Sequence, residues 1–194
     1  MSISSNPKYL QILHTGRKLF WKFGFKRVSI EEICKEAGVS KMTFYKHFPN
    51  KLELLKVVFD EIFEQALEKF SVLEDKSIAA DDKLKLIISL KSSGISGISQ
   101  ELMKDLYGNP DPGPRRLIQD LSEKWLKEIN RIFEGGKKDG WLRKDINIPF
   151  YFHLAQKMGE LIADESLQAH FSNPEDVVME VTNMMAYGIG PRNK

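Results

Sequence analysis

One short stretch in the N-terminal third constrains the fold most, because it carries four helix start and stop signals in succession. Ser29 and Glu32 have the Ser-x-x-Glu spacing of a capping box, in which each residue satisfies a free backbone N–H of the other. Gly38 follows the apolar positions of that helix, and glycine takes the left-handed conformation at helix ends without a steric penalty. Ser40 is a favourable N-cap for a second helix, which must end before Pro49. The stretch therefore predicts two short helices joined by a tight turn.

The second of these helices carries side chains that suit contact with DNA. It reads Lys41-Met42-Thr43-Phe44-Tyr45-Lys46-His47. Short hydroxyl side chains can reach base edges in the major groove, and ammonium groups bind phosphates. Phe44 and Phe48 are predicted to face the core of the domain instead. A helix, a glycine turn and a basic second helix together predict a helix-turn-helix domain.

Composition matters here mainly through the distribution of charge. The 194 residues carry a formal net charge of only +2. Residues 1–60 hold eleven Lys and Arg against five Asp and Glu, a net of +6, so the remaining residues carry −4. A basic end on an acidic remainder suits phosphate contact, although a solvated basic face gives the same pattern. The hydrophobic content of 42% is that of a globular protein with a core.

The rest of the chain is predicted to be helical, with no period-two pattern that would indicate a strand. Helices are expected over 7–23, from Asn50 to about residue 70, over 84–98 with a break near 94–97, over 100–107, and from about Pro114 past Phe133, where Gly135-Gly136 and Gly140 interrupt it. The fold class is therefore all-α. A three-helix DNA-binding domain is predicted at 1–50 and a larger helical domain at 51–194.

Catalysis is not expected from this sequence. It has no glycine-rich phosphate loop, no Gly-x-Ser-x-Gly turn and no His-Glu-x-x-His helix. His14, His47, His153 and His170 lack metal-ligand spacing with one another or with Cys34, so neither a metal nor another cofactor is expected. A single cysteine excludes an internal disulfide and indicates a reducing compartment, with Cys34 as a packing residue. Without a secretory segment or a long apolar run, the expectation is a cytoplasmic protein with no membrane contact.

The N-terminal residues resemble the TetR/AcrR family of bacterial transcriptional regulators. The resemblance rests on Leu19-Phe20, Phe23-Gly24-Phe25, Val28-Ser29-Ile30, Ile33, Ala37-Gly38-Val39-Ser40-Lys41, Thr43-Phe44-Tyr45, His47-Phe48, Asn50-Lys51 and Leu54-Leu55, at fixed offsets across four helices. Two departures are visible: Met42 stands where the family often has a small residue, and Cys34 stands where alanine is common. The first bears on base preference or helix entry, the second only on packing.

Both the residues and the resemblance assign DNA contact to the same positions. They are Ser29, Ser40, Lys41, Met42, Thr43, Tyr45, Lys46, His47 and Lys51. The three lysines are predicted to bind phosphates, and Lys51 also lies at the positive end of the long helix. Alternatives stay open for the others, because Thr43 also suits a first-turn hydroxyl, Tyr45 a core position, and His47 the filling of a helix end.

For the larger domain, the resemblance implies an effector-binding and dimerisation unit. Its last two long helices, at about 150–168 and 175–187, would pair with their counterparts in a four-helix bundle through Phe152, Ala155, Met158, Leu161, Ile162, Val177, Val181, Met184 and Met185. A cavity for a small, largely apolar effector would be lined by Met103, Tyr107, Trp125, Ile129, Phe133 and His153. The alternative for each is an ordinary core residue, and His153 is expected to be buried in either case.

The expected function is that of a homodimeric repressor of transcription. The resemblance implies a palindromic operator in double-stranded DNA and release of the protein from it by a small-molecule effector. A helix-turn-helix protein that is controlled by a protein partner, with no small ligand, remains the alternative.

Overall fold

The computed structural model describes residues 6–95, 97–108, 112–162 and 164–190, and all regular structure within these ranges is helical. The α-helices are α1 Pro7–Phe23, α2 Ile30–Glu36, α3 Lys41–His47, α4 Lys51–Phe70, α5 Ala80–Ile95, α6 Gln100–Met103, α7 Pro112–Asp139, α8 Ile148–Ile162, α9 Glu165–Gln168 and α10 Pro174–Ile189. A 3-10 helix follows α4 at Ser71–Glu74, and a π-helix follows α6 at Lys104–Gly108. The predicted all-α fold is confirmed.

Side-chain caps place helices α2, α3 and α4 where the sequence predicts them. The Ser29 N–H donates to the Glu32 carboxylate at 2.8 Å, and the Glu32 N–H donates to the Ser29 hydroxyl at 3.2 Å, which completes the capping box. The Ser40 hydroxyl accepts from the Thr43 N–H at 3.1 Å at the start of α3. The Asn50 side chain accepts from the Glu53 N–H at 2.9 Å at the start of α4. These local bonds satisfy backbone donors that a helix start otherwise leaves free.

The chain forms two compact units, and neither is continuous in sequence. The first contains residues through Glu61 together with Gly97–Gln119. The second contains Ile62–Ser96 and the residues from Asp120 onward. Helix α4 therefore contributes residues to both units. The predicted division into a DNA-binding domain and a larger domain after residue 50 concerns function, and it stays a prediction.

The core of the first unit joins helices α1 to α4. Its fully buried side chains include Ile12, Leu13, Phe20, Ile33, Phe44, Phe48, Leu54 and Leu55. The prediction that Phe44 and Phe48 face the core is confirmed, and the Tyr9 ring stacks on Phe48 at 4.9 Å. Helices α1 and α4 approach so closely that a Cβ on Gly16 would lie 2.6 Å from the Leu54 side chain.

The core of the second unit corrects one expectation about its longest helix. Gly135 and Gly136 do not interrupt α7, which continues to Asp139 and stops at Gly140 with φ of 83°. The reason is packing: a Cβ on Gly136 would lie 2.5 Å from the indole of Trp141, which is buried beside Phe133. The glycine that looks like a helix breaker in the sequence makes room for a ring that folds back onto the same helix.

Candidate nucleic-acid interface

Helix α3 has a buried face and an opposite face open to solvent. Phe44 holds it in the core, while Met42, Tyr45 and Lys46 on other sides of the helix are exposed. Met42 is the most open, at 82% of its full exposure. A helix whose polar and flexible side chains point outward, next to a short preceding helix, has the geometry that enters a major groove. The exposed face of α3 is therefore the candidate interface.

The first turn of α3 already has internal partners for its polar groups. The Ser40 and Thr43 hydroxyl groups lie 3.0 Å apart in a hydrogen bond. The Lys41 ammonium forms an ion pair with Glu31 of α2. The hydrogen bond with Lys41 lowers the pKa of the Glu31 carboxyl, and the same bond raises the pKa of Lys41. A carboxylate thus stands at this surface, and Glu31 is a residue that sequence reasoning did not select.

The remaining predicted contact residues divide between exposed and structural positions. Tyr45 and Lys46 are exposed and available to a ligand. His47 is half-buried, with its ring edge-on to Tyr9 at 5.8 Å. The Ser29 hydroxyl is bonded to Glu32, whose carboxyl pKa is lowered by the backbone and hydroxyl bonds from Ser29. Contact of these residues with DNA stays a prediction.

Lys51 contacts backbone carbonyls of its own chain, and its predicted contact with a phosphate stays a prediction. Its ammonium donates to the carbonyl oxygens of Phe25 and Val28, each at 2.6 Å, and lies 4.3 Å from the centre of the Phe25 ring. Its donors therefore point at the loop between α1 and α2. The physical reason is that three convergent ammonium N–H groups suit a loop that presents several carbonyls together. The sequence shows the charge of Lys51 but not this contact, which spans 23 to 26 residues.

A second side chain holds the same loop, and it comes from the middle of the chain. The buried carboxylate of Asp105, in the π-helix, accepts from the Lys26 N–H at 2.9 Å. Gly24 makes this approach possible: it has φ of 81°, and a Cβ there would lie 2.9 Å from the Asp105 carboxylate. The Ser99 N–H also donates to the Trp21 carbonyl at 2.8 Å. No local pattern could have identified Asp105, because its partner lies 79 residues away.

The predicted effector-pocket residues fall in both units. Met103 is buried and Tyr107 half-buried in the first unit, and burial raises the pKa of the Tyr107 phenol. In the second unit, Trp125 packs against Phe63 at 4.7 Å, and Phe133, with Ile129 against it, belongs to the hydrophobic core. His153 is exposed, so the expectation that it is buried is wrong. It lies on the solvent side of α8, whereas Phe152 beside it packs on Phe133 at 5.3 Å. Whether any of these residues contacts an effector stays a prediction.

The predicted dimer residues on α8 and α10 differ in how far their side chains are exposed. Val177 is buried within the second unit, whereas Phe152 is only partly buried where it packs on the core. Ala155, Met158, Val181 and Met185 are partly exposed, and Met184 is 65% exposed. The side chains of Leu161 and Ile162 lie outside the described part of the structure. Sequence reasoning missed Phe150, Leu154 and Tyr187, which are all exposed and which the spacings 150/154 and 184/187 place on single helix faces.

Three further observations bear on other functions. Cys34 is buried, and burial raises the pKa of its thiol, as fits a packing residue. Among the residues that the structure describes, no cluster of His, Cys, Asp or Glu is placed to hold a metal ion. Within the same ranges, no helix combines the length and the apolar character that crossing a membrane requires.

Comparison with known proteins agrees with this geometry. The model of the tetR family of bacterial regulatory proteins matches residues 12–58. The fatty acid metabolism regulator protein of Bacillus subtilis (strain 168) is 32% identical over 175 residues, which cover 87% of this chain and 86% of that protein. The HTH-type transcriptional regulator UidR of Escherichia coli (strain K12) is 29% identical over 112 residues, 57% of each chain.

Solved structures share the whole fold. The fatty acid degradation regulator FadR from Bacillus halodurans has a TM-score of 0.69 at 18% identity, covering 98% of this chain and 100% of that one. FadR from Bacillus subtilis, solved in complex with stearoyl-CoA, has a TM-score of 0.68 at 20% identity, covering 93% and 99%. With the helix-turn-helix matched by the family model and most of the chain matched by a relative, this protein belongs to the tetR family of bacterial regulatory proteins, which are DNA-binding transcriptional regulators and not enzymes.

Proposed function

We propose that this protein is a homodimeric repressor that leaves a palindromic operator when it binds a long-chain acyl-CoA. The observation that carries the proposal is the extent of the relation to the B. subtilis fatty acid metabolism regulator, which spans 175 residues and so includes the second unit. Fold alone would not select this ligand, because a regulator of similar fold from Saccharomonospora viridis was solved with choline, with a TM-score of 0.65. The acyl chain suits the small, largely apolar effector that the resemblance implies, whereas the charged coenzyme A part goes beyond that expectation.

Dimerisation is supported by apolar side chains on neighbouring helices of the second unit. Phe150 is 64% exposed on α8, where Leu154 follows one turn later. Met184 and Tyr187 are 65% and 67% exposed on α10, which packs beside α8. Large apolar groups that are exposed together mark interaction surfaces, and a second copy of the chain brings the same surface to meet them. Two helix-turn-helix domains in one dimer would read two half-sites of a palindrome.

The proposed release mechanism uses helix α4, which contributes to both units. Two helix-turn-helix domains bind together only when they are about one DNA turn apart, ~34–36 Å. If an effector binds more tightly to a dimer whose domains have a different spacing, it shifts the population of dimers toward that form, which does not bind the operator. Crosslinking the two DNA-binding domains at the operator spacing is expected to make DNA affinity independent of effector. Full release by effector in the crosslinked dimer would contradict the mechanism.

The experiment that tests the function begins with the operator. Sequences selected from random DNA by the full-length protein are expected to contain an inverted repeat, and fluorescence anisotropy then gives affinity for a labelled copy. Stearoyl-CoA, below the concentration at which it forms micelles, is expected to release the DNA. Coenzyme A, stearate and acetyl-CoA are the matched controls, because each lacks either the long chain or the nucleotide, and none should release it.

The outcomes separate the proposal from its rival. Release by stearoyl-CoA but by none of the controls supports an acyl-CoA effector. Tight binding of a selected palindrome that no acyl-CoA alters would overturn that effector and favour control by a protein partner. Failure to select any sequence would overturn the operator itself.

A further inference from the structure

The recognition helix presents an unusual apolar group at the position where DNA is read. Met42 is the second residue of α3, and the N-terminal residues of a recognition helix are those that reach base edges. Its side chain is 82% exposed, the largest exposed fraction among the large hydrophobic side chains that the structure describes. An open methionine gains nothing from burial in the free protein, so its apolar surface remains available to a ligand.

The polar neighbours of Met42 are already engaged. The Lys41 ammonium is paired with Glu31, and the Thr43 hydroxyl is bonded to Ser40. Using either group for base contact would first break these bonds. Met42 has no such bond to break, and its unbranched side chain adapts readily to an irregular surface. At the first turn of α3, the side chain best placed for base contact is therefore apolar.

The major groove offers one apolar feature at this depth, the C5-methyl group of thymine. Resting on the proposed DNA-binding function, we infer that Met42 reads a thymine methyl group in each half-site of the operator. Contact of the thioether with that methyl group removes both from water. The other base pairs present only hydrogen-bonding groups in the major groove, which an apolar side chain leaves unpaired. Met42 is thus a residue that determines sequence specificity, not one that adds affinity to all DNA alike.

The test replaces each thymine of the selected half-site by deoxyuridine, which removes the methyl group and nothing else. Burial of one methyl group implies about a fourfold loss of wild-type affinity when the thymine that Met42 reads is replaced in one half-site. Replacement in both half-sites should lower affinity roughly 15-fold. Met42→Ala is expected to bind thymine and deoxyuridine operators equally at that position. Met42 is exposed, so the Met42→Ala variant should fold as the wild-type protein does, as measured by circular dichroism.

Lys46→Ala is the matched control on the same helix. It should weaken binding to every operator alike and keep the loss on deoxyuridine substitution. If wild-type protein binds its selected operator tightly but Met42→Ala retains the wild-type loss at every thymine, the inference about Met42 is wrong while the operator stands. If no operator can be selected, the proposed function itself has failed.

Discussion

Replacing Lys51 with methionine removes the ammonium group and keeps most of the aliphatic stem. The two short hydrogen bonds to the Phe25 and Val28 carbonyls are then lost. A hydrogen bond to a charged group contributes about 1.5–3 kcal/mol. Lys51 is half-exposed, so water can bond to the freed carbonyls and offset part of the lost free energy. We therefore expect the α1–α2 loop to lose about 2 kcal/mol of stability against local opening.

Hydrogen exchange followed by mass spectrometry measures this loss directly. A change of 2 kcal/mol corresponds to roughly 30-fold faster exchange, at about 1.4 kcal/mol for each factor of ten. The increase should be confined to peptides that cover residues 24–36. The dependence of DNA affinity on salt should keep its wild-type slope, because the bonds to the loop engage the Lys51 ammonium.

Lys46→Met is the control, since Lys46 is exposed on α3 and predicted to bind a phosphate. It should leave exchange in the loop unchanged and reduce the salt slope by about 0.9 for each DNA-binding domain. The opposite pattern for Lys51→Met, with unchanged exchange and a slope reduced by this amount, would refute the role assigned here to Lys51.

Two other substitutions test the surface and the core. Glu31→Gln removes a carboxylate from the candidate interface and releases Lys41, so DNA affinity should rise at low salt and the salt slope should steepen by about 0.9 per domain. An unchanged slope in a salt titration would show that Lys41 does not reach a phosphate. Gly136→Ala forces a Cβ against the rigid Trp141 indole and should lower stability by about 1–3 kcal/mol in urea unfolding. Its matched control, Gly135→Ala, meets nothing within 4 Å in the same helix and should raise stability by up to about 1 kcal/mol, so equal effects of the two would contradict the packing argument.

The DNA-binding region could be predicted in detail because its signals are local. Ser29, Ser40 and Asn50 each cap a helix through a partner three residues away. Such bonds form within one turn of chain, so spacing alone identifies them. The prediction that Phe44 and Phe48 face the core follows from the same short helix.

Lys51 and Asp105 make contacts that the spacing of residues in the sequence cannot predict. Both hold the loop at 24–28, but one contact spans about 25 residues and the other 79. A charged residue at a helix start gives the same sequence pattern whether it meets a phosphate or a carbonyl. The contact of Lys51 with the loop carbonyls is seen only in the folded arrangement.

Which apolar residues of the second unit are buried and which are exposed was harder to predict, because apolar spacing does not say which surface a side chain contacts. Val177 and Met184 lie on one amphipathic helix, yet the first is buried in the unit and the second is exposed. His153 follows Phe152 directly but lies on the opposite side of α8 from the core. The single helix expected at about 150–168 ends at Ile162, and Glu165–Gln168 form a separate short helix. Periodicity located α10 closely, but the packing of neighbouring helices determines which of its side chains stay exposed.

Because Gly97–Gln119 belong to the first unit, that unit cannot be completed early in synthesis, when only its N-terminal helices have been made. The ribosome delivers α1 to α3 about 60 residues before the last part of that unit, an interval of roughly 3–12 s at ~5–20 residues per second. During this interval the loop at residues 24–28 has Lys51 on one side and nothing in the place of Asp105. The nascent helix-turn-helix therefore exists for seconds without its final support, and it is completed only when the middle of the chain has been made.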